Sequence, residues 1–193
     1  MTTAYCTIAQ VKTSLNITGT QDDTLLTRIV TGASDWVDRH CGWGDSGFQP
    51  AESTRRYDAS SLDAGGDLTL DVPLLTLTSM SGGDGVAINA ADAQLHPINA
   101  TRYFRIHLKT LGWALSSTED RVTVVGKFGY SVSPPSAVVE ATIMLSAWLL
   151  KRYQAALQDS SISPELGTII YSSSMPKQVV EILRQFSSGK RFT

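Results

Sequence analysis

The chain has 193 residues, 42% of them hydrophobic and 18% charged, with a net charge of −2. Such a composition can bury a core without covalent staples and excludes a protein drawn to nucleic acid by overall charge. The thin charge complement suits a subunit largely covered by copies of itself, and equally a Ser/Thr-rich monomer.

Cys6 and Cys41 are too few for a disulfide framework, and no further soft ligand stands at metal spacing. Both are expected to be reduced, with no metal and no cofactor. The opening MTTAYCTIAQVKTSL lacks a basic region and a continuous apolar run, so it does not read as a signal peptide. The most apolar stretch, Ala141 to Leu150, is shorter than the roughly 20 residues a membrane span needs. The expectation is a soluble chain, made in the cytoplasm, with no membrane partner.

Thr7 to Leu15 reads as a short helix: Ile8, Val11 and Leu15 share a face and Thr7 can cap it. A clearer helix start follows, with Thr20 three residues before Asp23 in capping-box spacing and Asp22 and Asp23 at the positive end of the dipole. Leu26, Ile29, Val30, Ala33, Trp36, Val37 and His40 then form an apolar stripe. Gly42 and Gly44 end this first long helix. Short alternating runs follow between turn residues: Thr54–Asp58, Asp67–Val72, Leu75–Ser81, Gly85–Asn89, Tyr103–Leu108 and Arg121–Lys127.

Ser133-Pro134-Pro135 opens a second long helix. From Ala137 to Leu150 its only charge is Glu140. A helix apolar nearly all round is buried on all sides. It is therefore the centre of its domain, or a neighbouring subunit covers one face, or both. A Ser-rich link, Gln158 to Ser163, leads to a last short helix begun by Pro176, with Val179, Val180, Leu183 and Phe186 on one side. This end looks like a segment that orders on a partner.

The fold class read from this pattern is α+β. Two long helices and short terminal helices form a core, with a β-rich insert, a small antiparallel sandwich or barrel, between the long helices. The expected divisions are 1–44 with 131–157 for the helical core, 45–130 for the insert and 158–193 for a C-terminal arm. Leu26, Ile29, Ala33 and Trp36 of the first long helix are candidate core or subunit contacts, as are Val138, Ala141, Leu145, Trp148 and Leu149 of the second.

Several apparent chemical motifs fail on geometry. Gly42-Trp43-Gly44-Asp45-Ser46-Gly47 fits G-x-G-x-x-G, but a dinucleotide fingerprint follows a strand and opens a helix, and here the order is reversed. Gly44-Asp45-Ser46-Gly47 and His40-Cys41 resemble segments of trypsin-like proteases, yet that triad needs an intervening buried Asp and a long separation. A serine hydrolase using Ser46 is the remote alternative. His96 and His107 show no paired carboxylate at ligand spacing. Arg55-Arg56 is too small a phosphate patch to stand alone and suits a strand edge or an inter-subunit contact. No catalytic residue is expected.

Four segments taken in order resemble the head–tail connector (adaptor) proteins of long-tailed phages and gene transfer agents. The opening Thr7-Ile8-Ala9-Gln10-Val11-Lys12-Thr13-Ser14-Leu15-Asn16-Ile17, then Asp22-Asp23-Thr24-Leu25-Leu26 and Ile29 through Val37, is similar to "D-V-K-x-x-L-x-I … D-D-x-L-L-x-x-I-x-x-A-S". Thr54-Arg55-Arg56-Tyr57-Asp58 with Asp67-Leu68-Thr69-Leu70 is the second. Val122 through Tyr130 follows the family's "V-x-V-x-G-x-x-G-Y", and Pro134/Pro135, Val138, Ala141 and Trp148–Arg152 its next helix. One departure is Cys41-Gly42-Trp43-Gly44, where the family often has Arg-x-Phe.

The resemblance implies a structural virion protein at the neck. About twelve subunits would form a ring on the portal protein and meet a stopper or tail-completion (tail-terminator) protein on the other side, with genomic DNA passing through without sequence-specific binding. It also implies that the C-terminal segment reaches the portal, through Met175, Val179, Val180, Leu183, Phe186, Lys190 and Arg191. Another neck part, a stopper or tail terminator, is the alternative, although such proteins tend to lack two long helices bracketing the insert.

Overall fold

A computed structural model describes residues 4–44, 47–109, 112–114, 121–157 and 174–188. Among the described residues are four α-helices and one sheet of six antiparallel strands. The chain divides into two compact units, Met1–Asp45 with Pro134–Thr193, and Ser46–Ser133.

The first unit is helical. Helix α1 (Ile8–Leu15) is closed by a full capping box: the Gln10 N–H donates to Thr7 Oγ1 at 3.2 Å, and the Thr7 N–H to Gln10 Oε1 at 2.8 Å. Helix α2 (Asp23–Cys41) starts at the expected place by a different device. Thr20 makes no capping box with Asp23; Asp22 occupies the cap without a side-chain bond. The Asp23 carboxylate instead takes the Lys12 ammonium of α1 at 2.7 Å, tying the two helices. Gly42, at φ 74°, supplies the left-handed residue that ends α2. Helix α3 (Ser136–Leu157) follows Pro135, whose carbonyl accepts the Val138 and Val139 N–H groups. Helix α4 (Lys177–Arg184) is the short amphipathic end. Cys6, Val11, Leu26, Val30, Ile143 and Leu150 form a core cluster drawn from α1, α2, α3 and the segment before α1.

Cys6 and Cys41 are free and buried. Burial pushes the Cys6 thiol up to about 11, with the nearby Ser146 hydroxyl opposing part of the rise. Burial and the neighbouring Asp38 carboxylate push Cys41 up to about 12. An aromatic disulfide reagent at pH 8 should therefore label both thiols only after denaturant is added; prompt labelling of the native chain would contradict this burial. In the unfolded chain both ionise near 9.0. The stability they contribute is complete below that pH and is lost as pH rises toward 11 and 12, because the unfolded chain releases those protons first.

The second unit carries β1 (Glu52–Tyr57), β2 (Leu68–Ser81), β3 (Ala87–Ile88), β4 (Ala93–His96), β5 (Tyr103–Leu108) and β6 (Val122–Phe128). The antiparallel β-rich insert expected here is, among the described strands, one sheet. They follow one path, β1-β6-β2-β5-β4, with β3 on β2. The two expected strands Asp67–Val72 and Leu75–Ser81 are one continuous strand running through Pro73. Its first half pairs with β5 (Leu68 opposite Ile106) and its second half with β6 (Met80 opposite Val124), while Leu74 faces both neighbours. Register shifts at 69/74, 74/76 and 77/79 mark irregularities of the kind that bend and twist a strand. Pro73 costs no ladder bond on its carbonyl side, because the Gly129 N–H donates to it at 2.9 Å. Tyr57, Leu68, Met80, Ile106, Val124 and Phe128 thus meet in one cluster. No helix among the described residues is long and apolar enough to cross a membrane.

Candidate functional site

The candidate contacts on the long helices fall into two sets. Leu26, Ala33, Val138, Ala141 and Leu145 are buried. They face inward and leave nothing for a neighbour. Ile29, Trp36, Trp148 and Leu149 are half-buried and remain reachable. Trp36 stacks on His40, with ring centroids 4.5 Å apart and planes 13° from parallel. The Arg152 guanidinium lies 5.3 Å from the Trp148 ring centroid. Both tryptophans therefore pair a large apolar face with a cationic or ionisable neighbour at the edge of the core.

The C-terminal candidates also divide. Val179 and Leu183 of α4, and Phe186 just beyond it, are buried against the unit's own helices, whereas Val180 is exposed and Met175, before the helix, is half-buried. Val180 was expected on the same side as Val179, but the next residue along a helix is turned by about 100°. The backbone reinforces this docking. Trp43 Nε1 donates to the Phe186 carbonyl at 2.7 Å, and the Ser188 N–H and hydroxyl donate to the Cys41 and Gly42 carbonyls at 2.8 and 2.9 Å. Two carbonyls at the end of α2 are thus satisfied by the far end of the chain. Lys190 and Arg191 lie outside the described residues.

The loop after α2 does not assemble a nucleophile site among the described residues. His40 is exposed and stacked on Trp36, and Ser46 lies outside the described residues. His107 has a partner that sequence spacing did not reveal: the Asp67 carboxylate, 2.6 Å from Nδ1, brought alongside by the β2–β5 pairing. His96 approaches the His107 ring edge-on at 6.4 Å. No group of three or more His, Cys, Asp or Glu among the described residues is arranged to hold a metal.

Arg55 and Arg56 have different fates. The Arg55 guanidinium lies over the Phe128 ring at 5.0 Å and pairs with Asp71 at 3.0 Å, linking β1 to β2 across β6. Asp71 also accepts from the Tyr57 hydroxyl at 3.1 Å. Burial and this carboxylate raise the Tyr57 phenol well above its ordinary range. Arg55 is thus a structural tie, and Arg56 is the one of the two left exposed.

The α+β chain, with its antiparallel sheet lying in sequence between α2 and α3, shares its fold with several solved chains. Similar chains are found in the neck of an empty gene transfer agent (GTA) particle computed with C6 symmetry (TM-score 0.60, 19% identity, covering 95% of this chain and 89% of that one). The neck of a native GTA particle computed with C12 symmetry holds another (0.58, 16%, 95% and 88%), and the virion of a native GTA particle a third (0.55, 20%, 95% and 92%). Residues 5–62 match the model of the phage gp6-like head-tail connector protein family. The connector resemblance read from the sequence is thereby borne out, in sequence over that segment and in fold over nearly the whole chain. No curated protein matches the chain in sequence.

Proposed function

We propose that this chain is a non-catalytic ring subunit of a virion neck, joining the portal to the tail and continuing the DNA channel, with about twelve copies in the ring. The observation that carries the reading is the coincidence of a connector-family match over residues 5–62 with a neck-chain fold over 95% of the chain. The twelvefold symmetry of one matching neck supports the copy number. A net charge of −2 suits a channel wall that lets DNA slide. On this reading Ile29, Trp36, Trp148 and Leu149 lie at subunit contacts, and the C-terminal segment, through Met175, exposed Val180, Lys190 and Arg191, docks on the portal.

Negative-stain electron microscopy of the purified full chain, alone and mixed with its portal, tests this. Rings of about twelve copies seated on the portal are the expected result. A chain that stays monomeric in both samples, and whose deletion leaves heads joined to tails, would refute it.

A further inference from the structure

His96 and His107 have no carboxylate at ligand spacing in sequence, and the fold supplies one from a distant strand. In the β4–β5 ladder Gln94 lies opposite His107 and His96 opposite Arg105, so the two imidazoles stand diagonally on one face of the sheet. Their ring centroids are 6.4 Å apart with planes at 80°, and both residues are half-buried. On the other side of β5, the Leu68–Ile106 pairing brings Asp67 alongside His107, its carboxylate 2.6 Å from Nδ1. On the neutral ring that contact holds the proton at Nδ1 and leaves the Nε2 lone pair free.

A carboxylate on the far nitrogen of a histidine fixes its tautomer and strengthens it as a ligand, as in the outer shell of many zinc sites. Zinc–nitrogen bonds of about 2.1 Å set two imidazole centroids about 5 Å apart on one ion. Rotation of the His96 side chain closes the difference, and that ring makes no hydrogen bond among the described residues to oppose it. Arg105, opposite His96, turns its guanidinium toward Asp63, 3.8 Å away, which offsets its charge. Imidazole pairs suit zinc, copper(II) and nickel, whereas calcium and magnesium seek oxygen ligands.

We propose that His96 and His107 chelate a divalent transition-metal ion of the zinc class, with Asp67 as a positioning residue and water completing the tetrahedron. The ion staples β4 to β5. Strand β4 has four residues, all half-buried, and pairs only with β5 among the described strands, so metal binding and its ordering are coupled. None of this rests on the ring reading.

Zinc chloride titrated into the full chain, stripped beforehand with a chelator, is the test. One zinc binds per chain, and the amides of Ala93–His96 and Tyr103–Leu108 gain protection from exchange. Free zinc at about a hundred times its Kd shifts the folding equilibrium roughly a hundredfold. His96→Ala loses the site. Asp67→Asn weakens it roughly ten- to a hundredfold, which a purely structural ion pair would not do. His40→Ala, at the third of the chain's three histidines and in the other unit, binds as the parent does. Copper(II) bound in place of zinc shows two imidazole nitrogens by electron paramagnetic resonance. No binding, a single coordinated nitrogen, or equal affinity in His96→Ala would overturn the site. Unchanged affinity in Asp67→Asn would overturn the role given to that carboxylate.

Discussion

Replacing Gly126 by alanine is expected to cost the β unit about 3 kcal/mol, at the upper end for a single added methyl. Gly126 lies in β6 opposite Leu77 of β2 and Ser53 of β1, in the stretch where β2 slips register. A Cβ there would overlap the Thr76 carbonyl oxygen and stand 2.9 Å from Leu74 Cδ1. The obstruction is backbone of a paired strand, so it cannot swing aside as a side-chain end would. Relief requires β2 to move off β6, and Leu74 and Met80 of β2 are core residues shared with Val122, Val124 and Phe128 of β6. Gly126→Val, with a larger and branched side chain, should leave the unit unfolded. Hydrogen exchange resolved by segment is the measurement: amides of Leu68–Ser81 and Val122–Phe128 should lose protection in Gly126→Ala. Unchanged exchange there, with an unchanged denaturation midpoint, would show that the strands do not approach as closely as described.

That glycine was visible in the sequence at the end of Val122-Thr123-Val124-Val125-Gly126, but the reason for it was not. The distinction holds across the fold. Helices α1, α2 and α4, the Thr7 cap and the Gly42 stop all follow from residues within one or two turns of each other, so local periodicity was enough. What failed depended on distant residues. Thr20 and Asp23 have capping-box spacing, yet Lys12 captures the Asp23 carboxylate from another helix. The break expected around Pro73 does not occur because the strand switches partners there, from β5 to β6, and Gly129 satisfies the proline carbonyl. Strand β4 was missed: Ala93–His96 has no strong β pattern and is held by pairing with Arg105–Leu108. His107 seemed to lack a carboxylate because Asp67 is distant in sequence and adjacent only in the sheet. The candidate contact list mixed core with surface for a similar reason. An apolar stripe marks what can be buried, and only packing decides that Leu26 is covered while Trp36 stays half-open.

The second large effect is expected at Leu183, and it separates a docked helix from a free arm. Eight residues are too few for a helix to persist alone in water, so α4 owes its existence to what it packs on. Leu183 and Val179 are fully buried, Phe186 nearly so, and the Leu183 carbonyl lies 3.8 Å from Cys41 Sγ. Truncation in Leu183→Ala should cost about 2–5 kcal/mol, the range for a buried leucine whose site cannot close. The loss should not stop at α4. Trp43 would lose its bond to Phe186, and the Cys41 and Gly42 carbonyls their Ser188 partners, so the end of α2 should fray with it. The expected signs are a lower midpoint, faster exchange over both Lys177–Arg184 and the last turn of α2, and an altered Trp43 environment. Val180→Ala, on the exposed side of the same helix, should move the midpoint by no more than about 0.5 kcal/mol. Val180→Asp should likewise spare stability, yet weaken attachment to the portal if the C-terminal segment docks there. A Leu183→Ala chain as stable as the parent would mean that α4 is not held by α2 and α3. The buried apolar side of α4 would then be free for a partner, and portal binding should respond to Leu183 more strongly than to Val180.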